Sequence, residues 1–401
     1  MQTQKLHFTN NKGEQLAARL ILPPDGQCDA YALFAHCFTC SKNLTAIRHI
    51  SQGLAQNRIG VLSFDFTGLG QSEGEFADTN FSSNVDDLVA AADHLKTQFQ
   101  EPQILIGHSL GGAAVLQAAG QIASVAAVAT IAAPSEPSHV LELLGSAKET
   151  IEQEGEAEVV LAGRPFRVKK QFLDDLEQSN MRQYIKALRK PLLILHPVTD
   201  RVVGIDNARQ IFDAAYHPKS FISLDTADHL LSNPDDSAYV ASLIAAWAPR
   251  YLKKQAQKAD RDAVVVRTGS QGYWTSVGVG QHQLIADEPV EAGGTDLGPT
   301  PYDYLLIALG SCTSITLRMY ADRKAWPLES ILVRLKHEKV HAADCAQCET
   351  EVGLVDYIER ELVFEGNLDE TQRKRLLEIA DKCPVHRTLR SEVAIETILK
   401  T

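Results

Sequence analysis

Residues 103–120 read QILIGHSLGGAAVLQAAG, and this order of residue types decides the fold of the front of the chain. An apolar, strand-like run ends at Gly107. Ser109 stands between small residues, and a helix-like run headed by Gly111 and Gly112 follows. Small residues on both sides of a serine suit a sharp, strained strand-to-helix turn that lifts the side chain above a sheet. The helix beyond it points its positive end at any oxyanion formed there. A G-x-S-x-G match alone is a weak signal. Strand, turn and helix around it make it a strong one.

Working outward, short apolar runs recur at YALFAH (from Tyr31), IGVLSFDF (from Ile59), VAAVATIAA (from Val125) and PLLILH (from Pro191). Amphipathic stretches separate them. Continuous apolar strands alternating with helices predict a parallel sheet covered on both faces. The segment 134–190 breaks this rhythm, with helical patches and a hairpin pattern in AEVVLAGRPFRVKK. It is expected to cap the carboxyl edge of the sheet.

A serine nucleophile of this kind needs a base and an acid, in the chain order serine, acid, histidine. Asp200 follows the strand PLLILH, and His229 follows SFISLD. Asp206, Asp225 and Asp228 compete as the acid, but none has Asp200's place just beyond a strand. The oxyanion hole requires two backbone N–H groups, expected from Leu110 and Phe38. His108 is expected to support the turn. Residues 1–250 thus resemble the α/β-hydrolase family, which implies ester or thioester hydrolysis. That family usually carries His-Gly in its oxyanion loop, where this chain has His36-Cys37.

The 401 residues suffice for two or three domains. A net charge of −12 argues against a nucleic-acid partner. No uninterrupted apolar stretch long enough to span a membrane is visible, and the N-terminal residues lack a signal-peptide pattern. A cytoplasmic location is therefore expected. The seven cysteines, Cys28, Cys37, Cys40, Cys312, Cys345, Cys348 and Cys383, are expected to be reduced. Cys37 and Cys40 form a C-x-x-C read as two small side chains filling tight space, with a redox pair as the alternative.

The polar run KKQAQKADRD suggests a linker over 251–262, and the style changes from 263 to 401. Short strands (AVVVRTG, GYWTSVGVG, QHQLIADEP) precede a long apolar helix from Pro301, capped by Thr300 with Asp303 in its first turn. Strands ILVRLKHEKV and YIERELVFEG, the helix DETQRKRLLEIADKC and a last strand SEVAIETIL complete an α+β domain. The whole is read as α/β, then α+β with a central buried helix. In that helix Cys312 shares a face with Leu305, Ala308, Leu309, Ile315, Thr316 and Met319 by spacing. Taken alone, it reads as core filler.

The stretches ADEP…GGTDLGPTPYDYLLIALGSCTSITLRMYA and CPVHRTL are similar to the OsmC/Ohr family of organic-hydroperoxide reductases. The resemblance implies that Cys312 is peroxidatic and Cys383 resolves it. It also implies a homodimer through this domain, and a dithiol reductant of the dihydrolipoyl type in place of a bound cofactor. That family uses an arginine and a glutamate beside the thiol. Here the acid is Asp303, and Arg267 and Arg387 are the candidate arginines. His341, Cys345 and Cys348 form H-x3-C-x2-C, a partial zinc spacing for which His337 is the nearest fourth ligand; a loop with chance cysteines is the simpler reading.

Overall fold

The computed structural model describes residues 1–37, 40–161, 163–253, 263–270, 272–342 and 352–400. The chain divides into two compact units, Met1–Ala259 with Gly269–Gln271, and Asp260–Thr268 with Gly272–Thr401. Most of the expected linker (254–262) lies outside the described residues.

In the first unit, β1 (Gln2–Thr9) and β2 (Gln15–Leu22) form an antiparallel hairpin. The chain continues through β3 (Ala30–Ala35), α1 (Thr45–Gln56), β4 (Ile59–Phe64), α2 (Phe81–Gln98), β5 (Ile104–His108), α3 (Leu110–Ala118) and β6 (Ala127–Ile131). An insertion follows: a 3-10 turn at Pro137–Leu144, α4 (Ala147–Glu154), the hairpin β7 (Glu156–Leu161) and β8 (Arg164–Lys169), then α5 (Lys170–Gln178) and α6 (Met181–Ala187). The sheet resumes with β9 (Leu192–Pro197), α7 (Asp206–Ala214), β10 (Lys219–Leu224) and α8 (Pro234–Trp247).

Among the described residues eight strands form one sheet, in the order β1-β2-β4-β3-β5-β6-β9-β10. From β4 to β10 all neighbours are parallel. The parallel strands are apolar on both faces because both are covered. Ala32, Phe34, Ile104 and Ile106 pack with Ile47, Ile50 and Leu54 of α1 and Val240 and Ile244 of α8. The alternate residues Leu33, Leu105 and Val128 pack with α2, α3 and the insertion. The strand order reverses between β3 and β5. At such a point the carboxyl ends of the strands open a crevice for a ligand.

The second unit begins with a three-stranded antiparallel sheet, β11 (Val264–Thr268), β12 (Thr275–Val279) and β13 (His282–Ala286). Then come α9 (Pro301–Arg323), the hairpin β14 (Ser330–His341) and β15 (Leu354–Glu365), α10 (Glu370–Ala380) and α11 (Pro384–Leu389). Thr300 and Asp303 cap α9 reciprocally, as their order suggested.

Two expectations are corrected. The helix α9 is not buried all round: within one chain it buries a single stripe, Leu309, Thr313, Leu317 and Ala321, against α10 and its neighbours. Ile315 and Met319 are 60% and 68% exposed. The apolar residues of α9 outnumber those that the second unit covers. By length and composition α9 could also cross a membrane, a property it shares with core helices. Second, SEVAIETIL forms no strand; residues 391–400 join no sheet among the described residues and are exposed. A strand pattern forms a strand only where a sheet edge accepts it.

Candidate active site

Ser109 occupies the turn between β5 and α3 with φ 55° and ψ −126°, a left-handed strain that persists only where its surroundings enforce it. They do so here. Its N–H donates to the Ile131 carbonyl (2.9 Å) and its carbonyl accepts from Gly112 N–H (2.8 Å). A Cβ on Gly107 would collide with the Gly111 backbone, and one on Gly111 with the carbonyls of His36 and Ala35. Both glycines are required by close approach. Leu110, the first residue of α3, is buried at the helix N-terminus. Phe38 lies outside the described residues.

His229 comes from the segment after β10 and Asp200 from the loop after β9. Ser109 Oγ–H donates to His229 Nε2 at 3.1 Å, and His229 Nδ1–H donates to Asp200 Oδ2 at 2.7 Å. Asp206, Asp225 and Asp228 take no part in this chain of contacts. Burial pushes the Asp200 carboxyl up, but the His229 hydrogen bond and the N–H groups of Val203 and Val202 outweigh it and hold it below the usual range. Asp200 is thus a fixed anion.

Two histidines support this arrangement. His108 Nε2–H donates to the His229 carbonyl at 2.6 Å. Burial drives the His108 pKa down to about 4, so the ring is neutral at pH 7. His196, fully buried, donates to the Val203 carbonyl at 2.8 Å and is likewise held neutral by burial. Sequence reasoning singled out neither His196 nor the buried pair Lys42–Asp65. Asp65 takes the Lys42 ammonium and also its N–H (2.6 Å), which fixes the far end of the loop after β3. The near end is held by His36, whose Nδ1–H donates to the Cys37 carbonyl (2.7 Å) and whose Nε2 accepts from Phe66 N–H (3.4 Å).

Cys37 and Cys40 are joined in a disulfide, which corrects the reading of both as reduced thiols packed as filler. The loop turns back on itself, with Cys40 N–H on the Cys37 carbonyl (3.2 Å) and the Cα atoms 5.3 Å apart, within bridging distance.

In the second unit Cys383 is buried and Cys312 half-buried, both as free thiols. Thr313, next to Cys312, places its Oγ1 3.6 Å from Cys383 Sγ, which accepts from His386 N–H (3.3 Å). Arg360 of β15 donates to Thr313 Oγ1 (3.0 Å) and to the Ala380 carbonyl (3.2 Å), and pairs with Asp381 (2.6 Å). Arg360 is therefore the guanidinium at this cluster. Arg267 and Arg387, the sequence candidates, are exposed on β11 and α11. In the cap of α9, Asp303 Oδ2 accepts from the Thr300 N–H (2.9 Å) and hydroxyl (2.7 Å), and the Asp303 N–H donates to Thr300 Oγ1 (3.1 Å). Nine residues separate Asp303 from Cys312, roughly 13 Å along the helix. His341 ends β14 and is exposed, His337 bonds Asp356 (2.9 Å), and Cys345 and Cys348 lie outside the described residues. No metal-holding cluster occurs among the described residues.

A family model described as "Alpha/beta hydrolase family" matches residues 32–271. The chain belongs to that family. A second model, "OsmC-like protein", matches residues 293–398, so an α/β-hydrolase domain is followed by an OsmC-like domain. The hydrolase domain is 55% identical to the crystal structure of the esterase domain of a Rhodothermus marinus protein, with a TM-score of 0.54 over 63% of this chain and all of that one. An uncharacterized protein, YfhR, of Salmonella typhi is 24% identical over 57% of this chain and 75% of its own. The mitochondrial palmitoyl-protein thioesterase ABHD10 of Mus musculus is 25% identical over 44% of this chain and 60% of that protein.

Proposed function

We propose that the hydrolase domain cleaves carboxylic esters or thioesters with Ser109 as nucleophile, His229 as base and Asp200 as orienting anion. The observation that carries this reading is the continuous relay from Ser109 Oγ through His229 to Asp200, at 3.1 and 2.7 Å. In this reading Ser109 Oγ attacks the acyl carbonyl while His229 Nε2 takes its proton. His229 then returns the proton to the leaving alcohol or thiol, and water releases the acyl group by the same steps. The Leu110 N–H, at the start of α3, would meet the oxyanion. The similarity to an esterase domain supports the class of substrate. Turnover of p-nitrophenyl esters and acyl thioesters tests it: Ser109→Ala should remove it, and retention of the wild-type rate would refute the reading.

For the OsmC-like domain the same proposal assigns organic-hydroperoxide reduction. The Cys312 thiolate takes the terminal oxygen of ROOH, the O–O bond breaks, and the leaving alkoxide takes a proton from solvent, giving a sulfenic acid and ROH. The Cys383 thiol displaces water to form a Cys312–Cys383 disulfide, which a dithiol reductant reopens. The free thiols and the Arg360–Thr313–Cys383 contacts support it. Cumene hydroperoxide consumption lost in Cys312→Ser is the test. A second reading, a dimerisation module without turnover in a cytoplasmic enzyme, draws on the exposed Ile307, Ile315 and Met319 of α9 and on Asp303's engagement in capping. Wild-type protein that is dimeric and inert toward hydroperoxides would favour it.

A further inference from the structure

We propose that Cys37 and Cys40 form a thiol–disulfide exchange site that sets the hydrolysis rate of Ser109; this rests on the reading of Ser109 as nucleophile. The disulfide joins Cys37 and Cys40, which follow β3. Three observations connect it to the serine turn. Cys37 lines a narrow apolar cleft together with Phe66, Leu69, Phe76, Leu110 and Gly111. Leu110 and Gly111 are the two residues that follow the nucleophile. Gly111 also packs against the His36 carbonyl so closely that no Cβ fits between them. The backbone entering Cys37 is thus the wall on which the serine turn rests.

Both ends of the loop are fixed whatever the state of the sulfurs. His36 is tied to the Cys37 carbonyl and Phe66 N–H, and Lys42 is bonded to Asp65. Opening the disulfide therefore leaves both anchors and the core in place and unties the Cys37 side chain, which lines the cleft. The sulfurs also differ in access: Cys37 is buried and Cys40 half-buried.

The exchange balances as follows. A thiolate of an external dithiol attacks Cys40 Sγ, the S–S bond breaks, and Cys37 leaves as a thiolate that takes up a proton. The second thiol of the dithiol then displaces Cys40. Two electrons and two protons pass to the pair, and the dithiol leaves as a disulfide. The reverse step uses a disulfide donor, or an organic hydroperoxide that is reduced to alcohol and water. Cys28 does not compete, because burial raises its pKa to about 11.

The full-length protein, treated with dihydrolipoic acid and desalted without air, is compared with the diamide-treated form for p-nitrophenyl ester hydrolysis. Alkylation and peptide mass spectrometry confirm that the pair is open or closed in each. Opening is expected to lower kcat at least threefold, with recovery on reoxidation. In Cys37→Ala/Cys40→Ala the rate should sit at the reduced level and ignore both reagents, which assigns the effect to this pair rather than to Cys312 or Cys383. Equal or higher rates with the wild-type pair verified open would overturn the inference, and that arm needs no variant to fold. Ser109→Ala separates the outcomes: hydrolysis that survives it refutes the nucleophile reading, whereas hydrolysis that needs Ser109 but ignores the pair refutes this site alone.

Discussion

Thr313 Oγ1 lies 3.6 Å from Cys383 Sγ, and it is Thr313 rather than Cys312 that faces this sulfur within one chain. The same hydroxyl accepts from Arg360 at 3.0 Å and donates to the Leu309 carbonyl at 2.8 Å. It links α9 to the arginine through a polar contact. Thr313→Val keeps the shape and leaves Arg360 and Cys383 without this partner. Hydroperoxide reduction should fall about tenfold, the equivalent of roughly 1.4 kcal/mol, with ester hydrolysis unchanged. A stopped-flow assay with cumene hydroperoxide and a dithiol measures it.

Asp200 is buried and held ionised by His229 and two backbone N–H groups. Asp200→Asn retains the size but removes the anion that selects the Nδ1–H tautomer. The expected loss in kcat is on the order of 10⁴, with KM little changed. Steady-state kinetics on a p-nitrophenyl ester decide it. A loss under tenfold would remove Asp200 from the mechanism.

His108 carries a pH dependence of stability. Its folded pKa of about 4 lies below the ordinary 6.5, so the folded state resists protonation and the unfolded state does not. Above about pH 6.5 both states are neutral and nothing is lost. As pH falls from 6.5 toward 4, the unfolded chain takes the proton first and stability drops, by about 3 kcal/mol in total. His108→Gln can keep the bond to the His229 carbonyl without titrating. Urea titrations at pH 7.5 and pH 5 should show a smaller acid loss in the variant; an equal loss would place the titration elsewhere.

Lys42 and Asp65 are both buried, so removing one strands the other. Lys42→Met or Asp65→Asn alone should cost about 3–5 kcal/mol, whereas the double variant should recover much of it. A double-mutant cycle by urea unfolding measures the coupling. If the two single losses simply add, the pair is not a unit.

The serine turn was legible because its cause is local. Small residues at Gly107, Gly111 and Gly112 are demanded by a turn that closes within a few residues, and sequence spacing records that demand. Asp200 and His229 were legible because chain order constrains them. Arg360 was not, since its contacts to Thr313 and Ala380 cross 47 and 20 residues, and no spacing encodes a meeting of strand and helix. The hairpin β1–β2 left a signal in the alternation of QTQKLHFT and the turn NNKG, a pattern distinct from the continuous apolar runs of the parallel strands. The C-x-x-C was ambiguous by nature, because the same spacing serves packing and bonding. SEVAIETIL carries a strand pattern without a partner strand, and a pattern alone forms no ladder.

The insertion leaves the sheet after β6 and returns at β9, and those two strands are direct parallel neighbours, Val128 beside Leu192. As far as connectivity is concerned, the whole of 134–190 is a detachable module, since excising it breaks no rung of the sheet. The side chains say otherwise: Ile151, Val168, Phe172, Leu176 and Ile185 belong to the same apolar cluster as Leu105 and Leu116. A lid transplanted from another hydrolase would join cleanly at its ends. It would still have to bring an oily underside shaped to α3, or leave that helix wet.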